Sequence, residues 1–401
     1  MTADTTRAAV DCLGTLVAFD TTSRNSNRDL IGWVQQQAEA LGARCRLTLN
    51  AQGNKANALL SIGPDVPGGV VLSGHTDVVP VDGQAWMCDP FRVSERDGRL
   101  YGRGTADMKG FIACCLVALR TWRELPLQVP LHIALSFDEE VGCLGVPLLI
   151  QDFLEHVPAP AFVLVGEPTG MRLATSHKGF CLFRTVFKGT EAHSSLAHRG
   201  VSAISAAVRF ANYLLETGTL LTYRESRVIQ QLPRHTTFNI GLIDGGTAIN
   251  IIPAHCALTW EFRPVPEEDV QAIKSRVDTF LRDGLAREFG LQTGKGIEHE
   301  LLLEVPPLHE DPRSVAVRQI ASLLGDDAVT SLPFGSEAGF FANAGWPAVV
   351  CGPGCIDQAH QPDEFIEIEQ LQRCLALLTG LGQFACIPHG SDVHEDMARV
   401  A

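Results

Sequence analysis

The sequence predicts a layered α/β domain built on a buried mixed sheet, with a smaller α+β unit inserted into it. Three observations predict it. Apolar runs of strand length alternate with helical periods up to about residue 175 and again after about residue 291. The stretch between reads strand, helix, strand, strand, helix. The 401 residues also exceed one typical domain of roughly 100 to 200 residues. The expected division is 1–176 and 291–387 for the layered domain, 177–290 for the insertion, and 388–401 as a polar tail, loosely held.

Each element has a local reason. Leu30, Ile31, Val34, Ala38 and Leu41 recur at helical spacing, and Gly42 follows as a stop signal. The runs Ala58–Ile62, Val70–Leu72, Leu131–Phe137 and Phe162–Val165 have no polar alternation, as expected of strands covered on both faces. Met108–Trp122 is an apolar stretch of helix length between two of them. In the insertion, Phe180–Phe187, Thr236–Ile243 and His255–Phe262 read as strands, and Val201–Leu215 and Glu267–Phe289 as helices. The layered texture returns with a helix near Ser314–Leu324, a strand at Ala348–Cys351 and a helix over Glu367–Gly382.

Composition narrows the function. With 45% hydrophobic and 19% charged residues, the chain has material for a real core and lacks the bias of disordered sequences. Lys+Arg of 32 against Asp+Glu of 46 gives −14, which argues against a nucleic-acid partner. The first twenty residues carry no uninterrupted apolar core of the secretory type, and the run Phe111–Leu119 stops at Arg120, far short of roughly 20 residues for a membrane span. Twelve Cys without a C-x-x-C pair read as reduced thiols, so a cytoplasmic protein is expected.

Five motifs carry chemistry. In Ser73-Gly74-His75-Thr76-Asp77, residues two apart on a strand share a face. His75 and Asp77 can be a metal ligand with its orienting partner, or a plain hydrogen-bonded pair. Gly102-Arg103-Gly104-Thr105-Ala106-Asp107 nearly matches the dinucleotide fingerprint, but Asp107 stands where a small residue must admit a pyrophosphate. It is a helix cap or a ligand. Asp138-Glu139-Glu140 places three carboxylates together at a strand end, which suits a solvated turn or a bound cation. Glu167, in Val165-Gly166-Glu167-Pro168-Thr169, again follows an apolar strand, as does the block Gln358-Ala359-His360-Gln361-Pro362-Asp363-Glu364. Each is ambiguous alone. Jointly they place two His and several carboxylates just beyond strand ends, on one rim of a layered sheet. That set suits Zn²⁺ or a similar ion, and one shared carboxylate can bridge two ions.

The order H-T-D, G-x-G-x-x-D-M-K-G, D-E-E-x-G, G-E-P-T, A-H-Q-P-D-E resembles the two-metal metallohydrolase family of aminoacylases, acetylornithine deacetylases and succinyl-diaminopimelate desuccinylases. The resemblance covers about residues 5 to 385, and GTADMKGF, VGEPT and QAHQPDE look most like its acetylornithine deacetylase branch. It implies a catalytic layered domain with an inserted lid/dimerisation domain, two divalent ions (Zn²⁺, with Co²⁺ as the other candidate) and a homodimer. Asp107 would bridge the ions, His75 and Glu167 would hold one, and Glu140 and His360 the other. Glu139 would be the general base and Asp77 would orient His75. A cis peptide would follow Asp107.

In the insertion, His193 alone reads as a surface histidine, but its context, Lys188–Ser195, resembles the lid motif whose His stabilises an oxyanion, in its own or the partner subunit. Asn250 and Arg263 resemble substrate-binding lid positions. Arg263 can fork onto an α-carboxylate or pair with Glu261. Glu337 resembles an acid of the acetylornithine deacetylases that would face a distal amine, or it is a helix-start cap. The implied reaction is hydrolysis of a small N-acyl amino acid, N2-acetylornithine first, with acetylcitrulline, succinyl-diaminopimelate and a broad aminoacylase range as alternatives. A non-catalytic member of the fold would lack a ligand or the base, and none is missing.

Overall fold

The computed structural model describes residues 3–291, 296–309 and 311–387. The expected tail at 388–401, with His389 and His394, lies outside the described residues. The chain forms two compact units. One holds the chain up to Thr175 together with the stretch ending at Thr330 and the chain from Ser336; the other holds Ser176–His309 and Ser331–Gly335.

The larger strands, in chain order, are β1 (Arg44–Leu49), β2 (Ala56–Ile62), β3 (Val70–His75), β4 (Leu131–Ser136), β5 (Phe162–Pro168), β6 (Leu173–His177), β7 (Phe180–Lys188), β8 (Thr237–Gly245), β9 (His255–Arg263), β10 (Ile297–Val305), β11 (Val329–Leu332) and β12 (Ala348–Gly352). An eight-stranded sheet runs β1-β2-β4-β3-β5-β12-β6-β11. Its centre is parallel, with β3 between β4 and β5 and β12 beside β5, whereas β1, β2 and β4 pair antiparallel. Every residue of β2, β3, β4 and β5 is buried, which is why these strands read as predominantly apolar without polar alternation.

The helix Gly110–Trp122 is buried almost all round, and helices Ala3–Ala18 and Ile368–Phe384 contribute to the same core. Trp122 Nε1 donates to Leu378 O at 3.1 Å, so this deeply placed indole keeps a partner. Phe111 lies flat against Gly166 of β5: a Cβ there would fall 2.2 Å from its ring. Truncating such a buried aromatic costs about 3–5 kcal/mol, and here it would also loosen the strand that carries Glu167.

The second unit has a four-stranded antiparallel sheet, ordered β8-β9-β7-β10. The helix Ala203–Leu221 buries Ala203, Ala206, Ala207, Phe210 and Leu214 at helical spacing and leaves Val208 and Leu215 exposed. Ser202 caps it, its side chain accepting the Ser205 N–H, so the helix starts two residues later than the apolar pattern suggests. The expected boundary at residue 290 is corrected. Ile297–Val305 pairs with β7 from Phe187 to Phe180, with a bulge between Leu301 and Leu303, and so belongs to the inserted unit. The single helix expected over Glu267–Phe289 is Val270–Thr279, a wider turn at Phe280–Leu285 and a last short turn at Ala286–Glu288. It is capped by Asp269, which accepts the Ala272 N–H. Among the described residues, no helix is long and apolar enough to cross a membrane.

Candidate active site

The parallel strands bring the motif residues of the first unit together, because their carboxyl ends share one edge. His75 ends β3, Glu139 and Glu140 follow β4, and Glu167 lies near the end of β5. His360 follows β12 by a loop. Asp107 comes from the turn ahead of helix Gly110–Trp122, where Gly104 adopts φ +79 and the Asp107–Met108 peptide is cis. Met108 folds under the strand, and its Sδ accepts the His75 N–H at 3.4 Å. Gly74 is the residue that admits it, since a Cβ there would meet Met108 Cε at 3.0 Å.

Asp107 faces both histidines. Its Oδ1 is 3.0 Å from His75 Nε2 and its Oδ2 is 3.3 Å from His360 Nε2. His75 Nε2 is also 4.0 Å from Glu167 Oε1, and His360 Nε2 is 3.0 Å from Glu140 Oε2. His75, Glu139 and Glu167 form one group able to hold a metal ion, and His75, Asp107 and Glu140 a second. His75 is buried, whereas the His360 side chain is 48% exposed, so the cluster opens to solvent on the His360 side.

The electrostatics are those of anions crowded away from water. Burial, then the Glu167 charge, holds the Glu139 carboxyl well above its ordinary value. Burial, then Asp107, does the same for Glu167 and pushes Glu140 up to about 7. Hydrogen bonds to Asp107 and Glu140 raise His360 to about 10. For Asp107 burial works upward, but the hydrogen bonds from His360 and His75 outweigh it and hold the group well below the carboxylate range. Glu167 Oε1 is buried without a hydrogen-bond partner. An orphaned carboxylate oxygen, in a cluster whose acids can ionise together only against positive charge, fits divalent cations.

The remaining expected residues fall in several places. Asp77, expected to orient His75, approaches its Nδ1 twice: the backbone carbonyl oxygen is 3.0 Å away and the carboxylate 3.7 Å. The carboxylate accepts the Glu139 and Glu140 N–H groups at 3.0 and 3.2 Å and the Ser23 hydroxyl at 2.7 Å, so it fixes the Glu139–Glu140 turn. Glu337 is buried on the same side of the sheet and accepts the Ser73 hydroxyl at 3.1 Å.

His193, Asn250 and Arg263 lie in the second unit. His193 is exposed, with Nδ1 2.8 Å from Ser195 Oγ, and Ser194 N–H donates to Asn250 O at 2.9 Å. Arg263 Nε is 3.0 Å from Glu261 Oε1, and its guanidinium stands 4.8 Å over the Phe180 ring. Sequence reasoning gave no role to Cys143, whose thiol donates to Glu139 Oε1 at 3.5 Å, nor to Glu364, Arg103 and Gln84, which surround Asp107 and His360. Glu364 was in view within the QAHQPDE block, but nothing in the spacing ties it to Asp107.

A solvent-open carboxylate–histidine cluster with a buried acid beside it defines a metal-dependent hydrolase as the class of protein. The sequence profile of Peptidase family M20/M25/M40 matches residues 71–383, and the chain belongs to that family. It is 37% identical over 387 residues to an acetylornithine deacetylase of Myxococcus xanthus, covering 94% of this chain and 97% of that one. It is 34% identical over 372 residues to an acetylornithine deacetylase of Pasteurella multocida, covering 92% and 94%. The fold is similar to that of an M20 family metallo-carboxypeptidase from Sulfolobus solfataricus, with TM-score 0.73, 17% identity and coverage of 95% and 99%.

Proposed function

We propose that the chain is a two-metal amidohydrolase that cleaves N2-acetyl-L-ornithine to ornithine and acetate, in cytoplasmic arginine biosynthesis. The observation that carries the reading is the cluster in which Asp107 faces His75 through one oxygen and His360 through the other, in a chain matched almost end to end by acetylornithine deacetylases. Asp107 would be the ligand shared between the ions, with His75 and Glu167 holding one and Glu140 and His360 the other. The donor set suits Zn²⁺, with Co²⁺ as a workable substitute. When bound, the ions lower the pKa of water and polarise the acyl carbonyl.

The protein's own groups do the rest. Glu139, whose proton affinity is raised by burial and the neighbouring Glu167 charge, takes the proton of the attacking water and delivers it to the leaving α-amine. Cys143 and the Asp77-anchored turn hold that carboxylate in place. His193 donates to the oxyanion, Arg263 exchanges its Glu261 partner for the substrate α-carboxylate, and Asn250 helps bind the substrate. Glu337 faces the distal amine of ornithine.

A homodimer is part of the reading. Among the described residues β8 has no neighbour on its outer side and exposes Leu242 (68%) and Ile243 (56%), an open edge that a second copy would cover. The test is turnover by metal-loaded protein against N-acetyl, N-succinyl and N-formyl amino acids, including N2-acetylornithine, N-acetylcitrulline and N-succinyl-diaminopimelate. The highest kcat/KM on N2-acetylornithine supports the assignment; preference for another member of the panel overturns it within the family.

A further inference from the structure

We propose that Glu364 is a positioning residue for the metal centre: with Arg103 and Gln84 it ties the Asp107 turn and the His360 loop into one rigid frame. The inference rests on the two-metal reading above but concerns residues outside the ligand set. Glu364 Oε1 accepts the Ala106 N–H at 2.9 Å and the Asp107 N–H at 3.1 Å. Its Oε2 accepts the Gly104 N–H at 3.0 Å and Arg103 Nη1 at 2.7 Å. Both side chains of this ion pair are 1% exposed. Four donors on two oxygens saturate the carboxylate, so a buried charge that would otherwise be unfavourable becomes a fixed anchor.

The frame continues to the other ligand. Arg103 Nη2 donates to Gln84 Oε1 at 2.6 Å, and Gln84 Nε2 donates to the His360 carbonyl oxygen at 2.9 Å. Trp86 Nε1 donates to the same Gln84 oxygen at 3.0 Å, and the guanidinium lies 5.1 Å over its ring, which leaves Arg103 one orientation. An unbroken run of hydrogen bonds thus starts at the Asp107 N–H and ends at the His360 carbonyl. His360 and Asp363 have φ of +63° and +56°, left-handed conformations that a non-glycine residue keeps only where its surroundings fix it. Asp363 is held by Met87 N–H, which donates to its Oδ1 at 2.9 Å. The frame therefore sets the distance between two ligands before any ion arrives, the pre-organisation that outer partners give a metal site.

Two substitutions test it. In Glu364→Gln the volume is kept, but an amide NH₂ cannot accept. Whichever way the amide turns, the NH₂ faces two N–H donors, Gly104 with Arg103 or Ala106 with Asp107. Gln84→Glu, at a half-buried position, keeps the acceptor for Arg103 and Trp86 and replaces the donor to His360 by an oxygen. Ion-free protein is titrated with Co²⁺, with calorimetry giving each affinity and visible absorption the coordination. Wild type should take up two ions. Both variants should bind the ion at Asp107, Glu140 and His360 at least tenfold more weakly, with an altered absorption for that equivalent and an unchanged melting temperature for ion-free Gln84→Glu. If Glu364→Gln does not fold, Gln84→Glu decides alone. Wild-type affinities and spectra in the folded variants, with two ions bound, would overturn the inference while leaving the proposed function standing. Wild-type protein that takes up fewer than two ions would overturn the two-metal reading and this inference with it.

Discussion

Metal uptake should release protons, and the number follows from the crowding at the cluster. Without ions, burial and the Asp107 charge keep Glu140 protonated up to about 7, and hydrogen bonds to Asp107 and Glu140 keep His360 protonated up to about 10. An ion at Asp107, Glu140 and His360 needs a carboxylate and a neutral imidazole, so both protons must leave. Below pH 7 roughly two protons depart per ion at that position, and at pH 8 roughly one. As the pH is lowered, apparent affinity should then drop about tenfold per unit between about 10 and 7, and about 100-fold per unit, or about 2.7 kcal/mol, below 7.

The same shifts act on the ion-free fold. The folded value for Glu140 lies above its ordinary 4.5, so the stability it contributes is fully present below that value. It is lost as the pH rises to about 7, at most about 3 kcal/mol. His132 and His177 are lowered by burial to about 4 and work in the opposite direction, so the comparison must be between ion-free and loaded protein, where their contributions cancel. Calorimetric Zn²⁺ titrations at pH 6 and pH 8, each in buffers of different ionisation enthalpy, count the protons. Affinity that does not change with pH, together with no proton release, would contradict this proton count.

Replacing Glu139 by Gln removes the proposed base while leaving the carboxylates proposed as ligands. Turnover should drop about 10² to 10⁴-fold with both ions retained, measured by steady-state kinetics beside metal analysis. Loss of the oxyanion donor in His193→Ala should lower kcat about 10² to 10³-fold with unchanged metal content. Gly352→Ala forces a Cβ to within 2.0 Å of the Gly166 carbonyl oxygen and 2.6 Å of that of Glu167, both backbone atoms that cannot swing aside. The β5–β12 pairing must shift, and thermal denaturation should show a loss of about 1–3 kcal/mol.

The central sheet was legible in the sequence because strands buried on both faces leave largely apolar runs without polar alternation, as in Val70–Leu72 and Leu131–Phe137. Much of the rim of acids and histidines followed, since the motifs of His75, Glu139, Glu140 and Glu167 sit at or just past the ends of such runs. Non-local pairing was not legible. Ile297–Val305 mixes Glu and Leu without alternation, and its partner β7 is more than a hundred residues earlier. The three-residue strands Ser94–Arg96, Arg99–Tyr101 and Phe365–Glu367 are too short to show a period. Within the site, the spacing of His75 and Asp77 suggested a shared face. It could not show that the backbone carbonyl of Asp77 takes the imidazole, freeing the carboxylate for the Glu139–Glu140 turn. The Arg103–Glu364 pair joins residues 261 apart, a distance over which one sequence carries no signal.

The most direct test is acetate release from N2-acetyl-L-ornithine by ion-free protein as Zn²⁺ or Co²⁺ is added back in known equivalents. Negligible turnover is expected without ions, with a maximum at two per chain. Full activity in the presence of chelator, or two ions bound with no hydrolysis of any N-acyl amino acid, would contradict the two-metal amidohydrolase reading.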